Sequence, residues 1–140
     1  MSGDFGTSIA PSARSLYGKL LAVLPDLQSL TGKTEAKPWG GGLISVEVLG
    51  RRDFFRRISV TQWQEDEVDG LVPVPCVEFV LLIDLQCAQV VSYENHAVTH
   101  SLYLVSSEDP KERTERLVAA LVNSFLAELI NLHLVFEPQR

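Results

Sequence analysis

From residue 43 to residue 105 the chain reads as short β segments joined by links too short to hold a crossover, and no other feature constrains its fold as much. Parallel neighbours need a connection of about a dozen residues or more, whereas antiparallel neighbours need only a turn. Over 43–49, Ile44, Val46 and Val48 alternate with Ser45 and Glu47, the period of two that buries one face of a strand. Gly50, Arg51, Arg52 and Asp53 turn the chain into 54–64, where Phe55, Ile58, Val60 and Trp63 favour a strand. The apolar phase slips in that stretch, which predicts a bulge. Residues 65–75 read as an acidic loop ending in Pro73 and Pro75, and 77–83 are nearly all apolar, as in a central strand covered on both faces, or on one face by helix and on the other by a partner. Asp84, Leu85 and Gln86 reverse the chain into 87–93. Glu94, Asn95 and His96 then lead into 97–105, where Val98, His100, Leu102 and Leu104 share one face.

A helix stands on either side of this meander. After Pro11 and Ser12, Leu16, Leu20 and Leu24 recur at four-residue steps beside Tyr17 and Leu21, and Pro25 ends the stripe. Residues 26–42 read as a connection with one helical turn through Leu27 and Leu30, and they include Gly40, Gly41 and Gly42. Later, Asp109, Pro110 and Glu112 supply an N-cap, a first-position proline and a capping-box acid. The helix they open is expected to reach about Leu132, with Leu117, Val118, Leu121, Val122, Phe125, Leu126 and Leu129 covering about half its circumference. The expected fold is α+β: a two-layer sandwich in which an antiparallel sheet of about five strands is flanked by an N-terminal and a C-terminal helix. One domain is expected over 11–140, preceded by a mobile tail over 1–10.

Composition narrows the function. A chain of 140 residues with 46% hydrophobic residues has enough material for one ordinary core. Twelve Lys and Arg against eighteen Asp and Glu give a net charge of -6, so nucleic acid and anionic membranes are not expected partners. The N-terminus lacks a basic stretch followed by an apolar run, and Cys76 and Cys87 lie in apolar segments; a cytoplasmic protein with reduced thiols is expected. The apolar run over 117–136 approaches the length of a membrane span, but Asn123, Ser124, Glu128, Asn131 and His133 favour a buried helix.

Few residues suggest chemistry. His96 and His100 are four apart, but on a strand that separates them by about 13 Å, too far for joint coordination. A site built from Cys76, Cys87 and His100 needs neighbouring strands to bring the three together. Glu78 and Asp84 form a weak acid and base pair, and the Gly40 to Gly42 run lacks the Lys and helix of a phosphate loop. The expectation is therefore no catalytic residue, no metal site and no cofactor, although a hydrolase or lyase assembled from scattered strand ends stays open.

Charge distribution says more. Through Arg57 there are eight basic and five acidic residues, a net of +3; beyond it four basic and thirteen acidic, a net of -9. Arg51, Arg52, Arg56 and Arg57 surround Phe54 and Phe55, a cluster suited to a phosphate-bearing small molecule or RNA. The plainer reading is a solvated hairpin whose arginines meet Glu47 or Glu65. On the last helix, Ala120, Asn123, Ala127 and Asn131 lie opposite the apolar face, so small uncharged residues stand where Lys and Glu are usual. That face suits packing against the first helix or against a second subunit. The acidic Glu65, Asp66, Glu67 and Asp69 also suit head-to-tail association with the basic half.

Three stretches carry a resemblance. Leu20, Val23, Leu24 and Pro25 close the first helix; Pro75, Leu81, Asp84, Ala88 and Val90 span the central hairpin; Asn123, Phe125, Leu126, Ala127 and Glu128 lie on the last helix. Their spacing resembles the YqiB-like family of small uncharacterised bacterial proteins. Gln89 stands where that family usually has Glu, Leu129 replaces its Trp, and its segment bearing tyrosine and asparagine has no counterpart around 105–109. The resemblance implies a cytoplasmic bacterial protein and carries over no catalytic residue. Taken together, the first expectation is a non-enzymatic docking module, working as a homodimer or on a protein partner; the alternative is a binder of phosphate-bearing ligands through the arginine cluster.

Overall fold

The computed structural model describes residues 11–38, 41–52, 55–96 and 110–138, with 11 and 110–115 as backbone only. Helix α1 (Pro11–Val23) and a 3-10 turn (Leu27–Ser29) lead to β1 (Lys33–Ala36), β2 (Leu43–Arg52), β3 (Phe55–Asp66), β4 (Gly70–Leu82) and β5 (Cys87–Glu94). Helix α2 (Pro110–Asn131) and the short β6 (Glu137–Pro138) follow. The strands form one antiparallel sheet in the order β5-β4-β3-β2-β1-β6, so the fold is α+β as the strand pattern implied. The expected tail over 1–10, the expected strand over 97–105 and the capping Asp109 lie outside the described residues.

One face of the sheet carries the core. Ile44 and Val46 of β2, Ile58 and Val60 of β3, Val77, Phe79 and Leu81 of β4 and Ala88 of β5 pack with Tyr17 and Leu20 of α1, with Leu24 just beyond its end, and with Val122, Phe125, Leu126 and Leu129 of α2. Both helices therefore cover the same side. Pro25 ends α1 as expected, and Leu27 of the following turn is buried in the same cluster. The apolar run over 117–136 is not one continuous helix: α2 stops at Asn131, and His133 turns the chain with a φ of 51°. Among the described residues no helix is long and apolar enough to cross a membrane.

Three expectations are corrected. The phase slip over 54–64 is not a bulge in β3, whose pairing with β2 runs unbroken from Leu43↔Trp63 to Val48↔Ile58. Phe55 and Trp63 face away from the helices, while Ile58 and Val60 face them; apolar residues on both faces mimic a slip. The extra residues lie on neighbouring strands instead: Leu49 on β2 and Val91 on β5, each about half exposed, and a third in β4 near Pro75. Second, 65–75 is not a loop. Strand β3 continues to Asp66 and β4 begins at Gly70, because Asp66 Oδ2 accepts the backbone N–H groups of Val68 and Asp69 at 3.0 Å each and Gly70 takes a φ of 76°. Pro73 and Pro75 fit inside β4 because the register breaks beside them. Third, the connection over 26–42 contains β1, whose Thr34 and Ala36 are buried opposite Val46 and Ile44.

Candidate functional site

The arginine hairpin is built by β2 and β3, and the pleat divides its charges. Arg51 pairs with Arg56, Arg52 with Phe55, and Gly50 with Arg57. Residues directly opposite in an antiparallel pair share a face, and successive residues alternate. Arg51 and Arg56 thus lie at the end of the helix-covered face, whereas Arg52 and Arg57 lie on the other. Arg57 contacts neither Glu47 nor Glu65: its Nη2 and Nε donate to Glu78 Oε2 at 2.6 and 3.2 Å, a diagonal contact with β4. Arg56 Nη1 donates to the carbonyls of Arg52 and Phe55 at 2.8 and 3.1 Å, and its buried Nε has no hydrogen-bond partner among the described residues. The four arginines do not converge on one point.

The outer face of α2 is exposed at Ala119, Ala120, Asn123, Ser124, Ala127 and Asn131, and from residue 116 onward the charged residues of this helix are Arg116 and Glu128. Small side chains let a second helix approach to about 8 Å between axes. Part of the face is already used inside the chain: Lys19 Nζ of α1 donates to Asn123 Oδ1 at 2.8 Å. Of the four positions marked out in the sequence, Asn123 thus meets the first helix, and Ala120, Ala127 and Asn131 lie open beside it.

The remaining candidates are spread apart. Cys76 pairs with Glu94 and Cys87 with Leu82, at opposite ends of the β4–β5 ladder; both thiols are free, and His100 lies outside the described residues. Thr61 Oγ1 donates to Cys76 Sγ at 3.2 Å, and the Cys87 thiol donates to the Leu85 carbonyl at 3.2 Å. Glu78 is held by Arg57 while Asp84 sits exposed in the β4–β5 turn, so the two carboxylates do not meet. Between α1, α2 and the β4–β5 end lies a hollow of about 450 Å³, lined by Leu16, Leu82, Ala88, Val90 and Val122, with Cys87, Gln89 and Asn123 among its other groups. A hollow of that makeup offers shape and apolar contact more than converging polar groups.

One grouping was not foreseen. Asp66 at the end of β3, Asp69 in the β3–β4 turn and His96 beyond β5 each present a ligand atom, and these atoms lie within 4.8 Å of one another. The two backbone N–H groups that Asp66 accepts hold its carboxyl below the ordinary aspartate value. His96 reaches the group because its backbone N–H donates to the Pro73 carbonyl at 2.9 Å, continuing the line of β5 along β4. Comparison with known proteins found no matching family model, no matching curated protein and no matching solved structure.

Proposed function

We propose that the protein is a non-enzymatic docking module that pairs with a second copy of itself through the outer face of α2. The observation that carries this reading is the open stretch of Ala120, Ala127 and Asn131, a face on a helix whose charged residues from 116 onward are only Arg116 and Glu128, fewer than an exposed helix normally shows. A second copy running antiparallel opposes the two helix dipoles favourably and places Arg116 at one end and Glu128 at the other near charges of opposite sign. The face recurs identically on both copies, as a twofold interface requires. A bacterial setting rests on the resemblance to the YqiB-like family alone, and a cytoplasmic one on that resemblance together with the N-terminal pattern and the two free thiols.

Light scattering coupled to size exclusion tests the pairing. The expected result is a particle of twice 15.5 kDa for the parent chain and a monomer for Ala127→Arg with an unchanged circular dichroism spectrum. A monomeric parent, or an Ala127→Arg variant that still elutes as a dimer, overturns it. A second reading, an anion held by Arg51 and Arg56, draws support from two like charges in direct cross-strand register, an arrangement that costs stability unless something neutralises it. Binding of inorganic pyrophosphate that weakens in Arg51→Ala and with added salt supports that reading; salt-independent binding removes it.

A further inference from the structure

We propose that Asp66, Asp69 and His96 bind a first-row divalent cation of the zinc class and thereby tie the end of β5 to the β3–β4 turn. Two carboxylates and an imidazole are the mixed oxygen and nitrogen donors that zinc takes, at about 2.0–2.2 Å each. Donors at that radius around a tetrahedral ion stand about 3.4 Å from one another. His96 Nε2 and Asp69 Oδ2 stand 3.4 Å apart, an ion-pair separation that also equals the spacing of two donors on one such ion. The pair is thus spaced as two ligands of one ion are spaced, and the third donor lies within 4.8 Å of both.

The donors are also held in place. Asp66 Oδ2 is fixed by the N–H groups of Val68 and Asp69, which orients the carboxylate, and a first-shell group fixed by other hydrogen bonds binds a metal better than a free one. The Pro73 carbonyl anchors the backbone of His96. Two carboxylates and a neutral imidazole balance the charge of a divalent ion. Asp69 and His96 are exposed and Asp66 half-buried, so a fourth position is open to water.

Isothermal titration calorimetry of the full chain with zinc chloride tests this site. One ion per chain is expected, with affinity at least about tenfold weaker in His96→Ala and in Asp69→Asn. Both residues are exposed, and equal melting temperatures in the presence of a chelator check that the variants fold. Zinc is also expected to raise the melting temperature of the parent and not that of His96→Ala. The proposal is overturned by no saturable uptake, by unchanged affinity in both variants, by an equal thermal shift in His96→Ala, or by magnesium binding as tightly as zinc, which shows that the imidazole is not a ligand.

Discussion

Replacing Leu126 by Ala removes three carbons from a side chain that is 0% exposed and packed in the core beneath α2. At about 0.8 kcal/mol per buried carbon the transfer loss is about 2.4 kcal/mol, and the cavity left behind brings the total to about 3–5 kcal/mol. Each kcal/mol moves the melting temperature of a chain this size by about 3–4 °C, so a fall of roughly 10 °C or more is expected. The next residue supplies the control. Ala127 is exposed on the other side of the same helix, and Ala127→Arg should stay within about 0.5 kcal/mol of its parent once both are compared as monomers. Thermal and urea unfolding followed by circular dichroism measure both. If Leu126→Ala melts within about 2 °C of the parent, or if both variants lose the same stability, α2 is not packed as described and the assignment of its two faces fails.

Three further outcomes are expected. The Asp66 carboxyl is depressed in the folded state, so its contribution to stability is complete above the ordinary aspartate range and is lost as pH falls through the lower folded value; Asp66→Asn should differ most from the parent near neutrality and converge with it in acid, and an Asp66 carbon resonance titrating at the ordinary value refutes this. The Arg57 and Glu78 side chains are 47% and 25% exposed, so a double-mutant cycle should yield a coupling of about 0.2–1 kcal/mol that shrinks as salt is added. Gly42 enters β2 with a φ of 89° and an added Cβ would make only ordinary contact with the Trp63 carbonyl, so Gly42→Ala should cost about 1 kcal/mol through the backbone alone, measurable as a shift in the urea midpoint with unchanged slope.

Elements whose burial repeats along the chain were legible; those that depend on distant partners were not. Ile44, Val46 and Val48 announce β2 because its apolar residues alternate onto one face, and Leu117 to Leu129 announce α2 because they form a broad apolar stripe. Strand β1 contributes only Thr34 and Ala36 to the interior between Lys33 and Glu35, too little apolar material to show a period. The acidic run after Gln64 hid the join of β3 and β4 because Asp66 acts there as a turn-former, a role its charge does not advertise. The candidate sites followed the same logic. Neighbouring arginines look like one cluster in a linear reading, yet the pleat sends Arg51 and Arg56 to one face and Arg52 and Arg57 to the other. Asp66, Asp69 and His96 never looked like a group, because only the pairing of β4 with both β3 and β5 brings them together.

The outermost strand beside β1 has a bearing on how the protein behaves in concentrated solution. Strand β6 is two residues long, with Glu137 opposite Glu35 and Pro138 opposite Thr34. A proline has no N–H to offer a newcomer, and an acidic neighbour repels a like-charged one. On this flank the described ladder therefore ends in a poor template, which disfavours sheet-to-sheet polymerisation from it.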